Sequence, residues 1–488
     1  MRATKPLESP GLSTGSVRPF APSNMVYRMV DVFGEKMAFA IEPWTQSWGI
    51  VSLLAKRLIE MCDGRTRLSA IAESLSSAGS DIGHTDVLRL YRDVCRHGLV
   101  FNSAEEYRRS GGPVYRSVDT LLGLHIEITS ACNLRCTHCY VGAGGDTQGE
   151  LSTEEIIGVI DQLPSFSGKR IAISGGEPCL HRDCGRILEH CAVTCGHHVD
   201  LCTNAVQFPD ELLVEVLSIS KRAETTVRIQ VGLEGTSAKT NDAIRGPGSF
   251  DAALKSLAHF RDAEFSGSVV LLVCVTKRNI EELEDIIGLA EKYDVAMLVF
   301  SQWQRQGRAS DTSWEEVGPT AEQWIQAGEK IIGYRHSRLR VFGNFFGDLS
   351  NNAHGRYSLD SALFPKHVYW FNSLPRVTSS GDIFADQLFV DGNWKLGNVR
   401  NHTLDEVFRL PKFYGQLEAM RSRLNHVREC QTCPWQDLCE CGSPGHTYSE
   451  YGDINRKDVF CESRAYWFER FVRHQVEQAE KATLSEIL

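Results

Sequence analysis

Three cysteines close a short apolar run at the spacing C-x3-C-x2-C, in Ile128-Thr-Ser-Ala-Cys132-Asn-Leu-Arg-Cys136-Thr-His-Cys139-Tyr140. The run Leu124–Thr129 reads as a strand, which puts the thiols in the loop that follows it. Thiolates are the soft ligands that iron–sulfur clusters take, and four irons ordinarily take four of them. Three protein thiolates leave one iron open, as catalytic metal sites keep a position for substrate. Structural zinc is the competing reading. It needs a fourth close ligand, and His138 would have to supply it.

The remaining composition narrows the class. At 488 residues the chain exceeds one core, and it is globular in balance, with 42% hydrophobic and 23% charged residues. A net charge of -10 argues against nucleic acid as a partner, because phosphate contacts need clustered Lys and Arg. No apolar run reaches membrane-spanning length, and the N-terminus lacks a signal-peptide pattern. Sixteen cysteines without a secretion signal point to metal binding in a reducing compartment, the cytoplasm, rather than to disulfides.

Taken in order, residues 1–24 read as a disordered arm. A compact domain is expected over 25–108. It opens with a hairpin, Val26 to Ile41, turning at Gly34, and the pattern becomes helical from Trp44. Leu53, Leu54, Leu58, Ile59 and Met61 form an apolar stripe ending at Asp63-Gly64. Helices over Arg67–Leu75 and Thr85–His97 follow, then a closing strand, Gly98–Phe101: a winged-helix layout. Residues 109–119 read as a linker. Over 120–310, strands at Leu124–Thr129, Arg170–Ser174, Val199–Thr203, Arg228–Leu233, Val269–Thr276 and Ala296–Ser301 alternate with helices. These helices are expected at Thr153–Leu163, Cys184–Cys195, Asp210–Ile219, Phe250–Ala263 and Ile280–Lys292. Such alternation predicts an α/β fold, a parallel sheet that curls, with its strand ends pointing to one mouth. A bridging region, 311–370, leads to a cysteine-rich stretch, 371–475, and a tail, 476–488.

Cys179, Cys184, Cys191, Cys195 and Cys202 crowd one part of the barrel. Cys184, Cys191 and Cys195 share a helical face, which packing of small buried thiols explains. His197 and His198 beside them make a metal site the sharper alternative. Near the C-terminus, Cys430-x2-Cys433-x5-Cys439-x-Cys441 and then Cys461 form a second group suited to a cluster, with structural zinc again the alternative.

The Cys132–Tyr140 loop resembles that of the radical S-adenosylmethionine (SAM) enzymes, whose C-x3-C-x2-C-aromatic pattern it matches in full. That family folds as a (β/α)6 partial TIM barrel, so strand count and motif agree. The resemblance implies that Cys132, Cys136 and Cys139 hold a 4Fe–4S cluster that binds SAM, with Tyr140 beside it. Ser174-Gly175-Gly176-Glu177-Pro178 is similar to the family's amino-group segment, which gives Gly175, Gly176 and Glu177 that role. Asn204 of Thr203-Asn204 stands at the cofactor, and Glu234 replaces the family's aspartate at the sugar, with Gly232 in place of serine. Gln306-Gly307-Arg308 matches a Gly-Arg pair, and Arg305 is assigned to the SAM carboxylate.

Two further resemblances set the function. Leu58 to Glu73 is similar to the precursor-peptide recognition domain of the pyrroloquinoline quinone chaperone type, which adds a leader peptide to a sheet edge. Val377 to Phe408 with the later cysteines resembles the SPASM extension of the same enzymes. Seven cysteines for two auxiliary clusters are usual there; here the early pair is missing and Asp386 stands at a cysteine position. Cys430, Cys433, Cys439 and Cys461 are intact, with Cys441 shifted, so one auxiliary 4Fe–4S cluster is expected. The implied enzyme cleaves SAM reductively to a 5′-deoxyadenosyl radical and modifies, by crosslinking, a ribosomally made precursor peptide bound through its leader. A ferredoxin or flavodoxin is the implied reductant. A radical enzyme acting on a small molecule or tetrapyrrole is the alternative, and a degenerate barrel that only binds peptide is a third reading.

Overall fold

The computed structural model describes residues 17–487 except 24, 43–46, 78–82, 110–122, 164–169, 266–267, 334–338, 344–346 and 349–373. Most of the arm at 1–24, nearly all of the linker and much of the bridging region lie outside the described residues. The chain divides into two compact units: residues 1–115 with 433–438 and 468–488, and residues 116–432 with 439–467. The first therefore draws on both ends of the chain.

In the first unit, strands β1 (Val26–Val32), β2 (Glu35–Glu42) and β3 (Ser47–Ser52) form an antiparallel sheet in that order. Phe33 and Gly34 both take positive φ, 52° and 82°. A two-residue hairpin needs that twist at both centres, hence the glycine. Helices Leu53–Glu60, Leu68–Ser77 and His84–Arg96 follow, the first capped by the Ser52 hydroxyl. Their buried faces, including Leu58, Ile59, Ile71, Leu75, Val87 and Val94, meet Ala38 and Ala40 of β2 in one core. Two expectations are corrected. Ser47–Ser52, within the stretch read as helical, is a strand because its residues pair with Met37–Glu42. Gly98–Phe101 is no strand; only Phe101 bridges, to Phe20. The expected tail belongs to a helix, Cys461–Ile487, whose Phe471 stands edge-on to Phe39 and Trp48.

In the second unit, β4 (Gly123–Thr129), β5 (Arg170–Gly175), β6 (His198–Thr203), β7 (Val227–Gly232), β8 (Val269–Val275) and β9 (Met297–Gln302) lie side by side in sequence order. All are parallel. Helices on the crossovers bury the sheet, which is why its strands read as near-continuous apolar runs. This is the predicted α/β partial barrel, and each strand falls within about two residues of its expected bounds. The helix Thr153–Ile160 opens on the expected capping box, Ser152 with Glu155. The sheet is longer than expected. β10 (Arg340–Gly343) runs parallel beside β9, with β11 (Gly347–Asp348) antiparallel at that edge. On the other side β12 (Arg376–Val377) pairs parallel with β4, followed by β13 (Asp382–Phe384) and β14 (Lys395–Asn398). Two- to four-residue strands carry too little pattern to be read from sequence. Helix Ala238–Arg245 was likewise not expected, and the expected helix Cys184–Cys195 is α-helical to Glu189 and then a π turn, His190–Thr194.

Candidate active site

The C-terminal ends of β4 to β9 converge on one mouth, and the cysteine loop crosses it. Gly175 and Gly176, at the end of β5, fit directly against the start of that loop. The Gly176 amide donates to the Thr129 carbonyl at 2.8 Å and the Glu177 amide to the Ala131 carbonyl at 2.7 Å. A Cβ at Gly176 would collide with the Ala131 carbonyl, and one at Gly175 with that of Thr129. Gly307, at φ 58°, plays the same part from beyond β9: a Cβ there would lie 2.5 Å from the Cys139 and Tyr140 carbonyl oxygens. Arg308 next to it donates its backbone amide to the Cys139 carbonyl and its Nε to that of Cys136, each at 3.0 Å. Gly176→Ala and Gly307→Ala are each expected to lower iron bound per chain, measured after anaerobic reconstitution, with secondary structure by circular dichroism retained.

The loop's donor set fits a cluster rather than a single ion. Cys132, Cys136 and Cys139 are all partly exposed, but their sulfurs do not gather within 4.8 Å of one another. A tetrahedral ion needs that convergence, whereas a cube with an iron at each corner needs wider spacing. His138, the ligand zinc would require, instead directs Nε2 to Glu234 Oε1 at 3.1 Å. Burial pushes the Cys136 thiol up to about 11, so metal binding there releases a proton.

Glu177 is buried, and its oxygens accept from Thr203 Oγ1 (2.7 Å) and from the amides of Asn204 (2.7 Å) and Cys179 (3.1 Å). The carboxylate thus fixes the β6 end to the β5 end. Asn204, so held, donates Nδ2 to Asn133 Oδ1 at 2.7 Å and sits 4.0 Å from the Cys132 sulfur. Tyr140 is half-buried, loss of solvent around it pushes its phenol up, and the Arg376 guanidinium lies 5.9 Å from its ring centre.

Two residues assigned to SAM from the sequence have protein partners in the structure. Glu234, expected near the nucleoside sugar, is only 1% exposed. Its Oε1 takes Arg245 Nη2 at 2.7 Å and Nε at 3.1 Å, and its Oε2 takes the Cys274 amide at 2.6 Å. Burial pushes the carboxyl up, but the Arg245 charge and His138 outweigh it and hold it at about 2. The departure from the family's pattern has a physical reason here: a Cβ at Gly232 would overlap the Arg245 guanidinium, and glycine leaves it room. Arg305, assigned to the SAM carboxylate, donates Nη1 to the Glu450 carbonyl at 3.1 Å and Nε to that of Ser310 at 3.2 Å.

Sequence reasoning missed the Glu127–Arg376 pair, at 2.6 Å with both side chains under 10% exposed. A carboxylate inside the apolar run of β4 was the available signal, since a buried charge needs a partner. It gave no hint that the partner lies 249 positions away.

Among the later cysteines, Cys430, Cys439, Cys441 and Cys461 belong to the second unit and Cys433 to the first. Cys430 and Cys441 are buried together in one small apolar cluster with Val427. Cys441 reaches Cys430 through a tight turn in which Glu440, Cys441 and Gly442 all take positive φ. For the two non-glycine residues that conformation is uncommon and is held by its surroundings. Arg423, 2% exposed, clamps the turn from inside, donating to the carbonyls of Gly442 (2.8 Å), Cys441 (3.1 Å) and Ile454 (2.8 Å). Arg464 Nη1 approaches the Cys439 sulfur at 3.6 Å. Asp386, at the family's cysteine position, accepts from the Leu388 amide at 2.7 Å, and burial pushes its carboxyl up to about 7.

Comparison with known proteins agrees with this geometry. The profile described as the Radical SAM superfamily matches residues 126–290. The chain is 34% identical over 330 residues to the mycofactocin maturase MftC of Mycobacterium tuberculosis (strain CDC 1551 / Oshkosh), covering 67% of this chain and 79% of that one. It is 26% identical over 356 residues to the Fe-coproporphyrin III synthase of Methanosarcina barkeri, covering 69% and 86%. In fold it is similar to SuiB of Streptococcus suis bound to its precursor peptide SuiA, with a TM-score of 0.56, 13% identity, and coverage of 91% of this chain and 99% of that one.

Proposed function

This chain belongs to the radical SAM superfamily, and on that premise we propose that it is a maturase that crosslinks a ribosomally made precursor peptide. The observation that carries the reading is the likeness to the mycofactocin maturase over two thirds of the chain, in a molecule that also has a separate small antiparallel sheet. That N-terminal unit, over residues 25–108, is the leader-binding module of the pyrroloquinoline quinone chaperone type. Its edge strand β3 pairs only with β2 among the described residues, and such an edge takes a further strand through main-chain hydrogen bonds.

Cys132, Cys136 and Cys139 hold the 4Fe–4S cluster, which when bound delivers the electron that splits SAM into methionine and a 5′-deoxyadenosyl radical. The chain's own residues shape the place where this happens. Gly175, Gly176 and Gly307 let three backbone segments meet, and Arg308 fixes the cysteine loop by its carbonyls. Glu177 sets Asn204 toward Cys132, and the Glu127–Arg376 pair backs Tyr140. Gly175 and Gly176 would hold the SAM amino group through their backbone. By their match to the family's pattern, Cys430, Cys433, Cys439 and Cys461 would hold one auxiliary 4Fe–4S cluster, with Cys441 near them in the sequence, and the chemistry such a group would supply is one-electron transfer. A small ferredoxin or flavodoxin is the reductant and the cytoplasm the setting. No described helix is long and apolar enough to cross a membrane.

The test is anaerobic turnover with SAM, reductant and the precursor peptide. Formation of 5′-deoxyadenosine with loss of a hydrogen pair from the peptide is expected, and removal of the leader should slow it at least about tenfold. The likeness to the porphyrin enzyme favours a second reading. Consumption of an iron porphyrin with the peptide left untouched would establish that one instead.

A further inference from the structure

At the opposite end of the strands from the mouth, three side chains converge that the radical chemistry does not use. Asp161 caps the helix Thr153–Ile160, and His190 and Cys195 bracket the π turn that leads to β6. His190 Nε2 lies 2.7 Å from Asp161 Oδ1 and 3.4 Å from the Cys195 sulfur, which is itself 3.7 Å from Asp161 Oδ1. Among the described residues this is the one group of three or more such ligand atoms mutually within 4.8 Å.

We propose that Asp161, His190 and Cys195 form a binding site for one zinc ion, separate from the iron–sulfur centres. Metal–ligand bonds of about 2.0–2.3 Å place the ligand atoms of a tetrahedral site about 3.3–3.7 Å apart. The two separations to sulfur already match. The third, now a hydrogen bond, has to open by about 0.6 Å as the ion replaces the shared proton. The backbone is shaped for the trio. Residues five apart in an α-helix point about 140° away from each other, but the π turn, with the Cys195 amide donating to the His190 carbonyl at 2.9 Å, stacks them on one face. A nucleophilic triad is the competing use of these residue types, and the geometry excludes it. Asp161 and Cys195 both approach Nε2, so no relay runs through the two ring nitrogens. His190 and Cys195 are partly covered and Asp161 is exposed, which leaves the fourth position to water. The sequence pointed to this region through Cys195 but to the wrong imidazoles: His190, not His197 or His198, completes it.

The test uses protein with its iron–sulfur clusters already assembled, so that the cluster-binding cysteines are occupied. After equilibration with zinc and removal of free metal, one zinc per chain is expected by elemental analysis. Cys195→Ala and His190→Ala should lose it with iron content and SAM cleavage unchanged. Cobalt in place of zinc should give a thiolate charge-transfer absorption that Cys195→Ala lacks. Asp161→Asn, at an exposed position and so least disruptive to folding, should weaken zinc binding more than about tenfold. No zinc in the parent, or zinc affinity unchanged in the variants, overturns the assignment.

Discussion

Replacing Cys132, Cys136 and Cys139 together by alanine is expected to abolish SAM cleavage and to lower bound iron from about eight to about four per chain. Loss of the signal must be complete, because the triple variant removes every thiol of the loop that would hold the SAM-binding cluster. The count also tests the C-terminal cysteines. About twelve irons in the parent would mean that Asp386 or Cys441 helps to build a third cluster, and about four would leave the later thiols without one. Iron and sulfide analysis beside 5′-deoxyadenosine formation checks both.

Glu234→Ala should destabilise the barrel by about 3–5 kcal/mol, because it leaves the Arg245 guanidinium buried without its partner. The double variant Glu234→Leu with Arg245→Met is expected to recover most of that loss, since two apolar groups need no pairing. Glu234 also carries a pH signature. Its carboxyl sits at about 2 in the folded chain against an ordinary value of 4.5. A depressed acid contributes stability that is fully present above its unfolded value and is lost as pH falls through 4.5 toward 2. Denaturant midpoints of parent and Glu234→Ala should therefore converge over that interval. If Glu234 contacted the SAM sugar instead, the variant would raise the KM for SAM and leave the midpoint in place.

The candidate site was legible wherever its chemistry sits in consecutive residues. The cysteine loop, Gly175-Gly176-Glu177 and Asn204 all fall at ends of strands whose apolar runs announce them, and the structure brings these ends to one mouth. Even there the role of Glu177 changed on folding, from a free carboxylate to one already accepting three hydrogen bonds. Arg305 and Glu234, assigned to ligand from the sequence, both bond protein groups; a charged side chain near a site reads identically whether it faces ligand or protein.

The sequence by itself determined the parallel order of β4 to β9, the hairpin at Phe33-Gly34, and which thiols lie close enough along the chain to share a metal. Each follows from local rules: side-chain period, turn dihedrals and the short reach of a loop. Only the tertiary structure decided that Arg376 neutralises Glu127, that Arg245 claims Glu234, that Arg423 braces the turn at Cys441, and that both chain ends build one unit. Those pairings join segments far apart in the chain. Their energy depends on burial and mutual distance, quantities that exist only once the fold has brought the segments together.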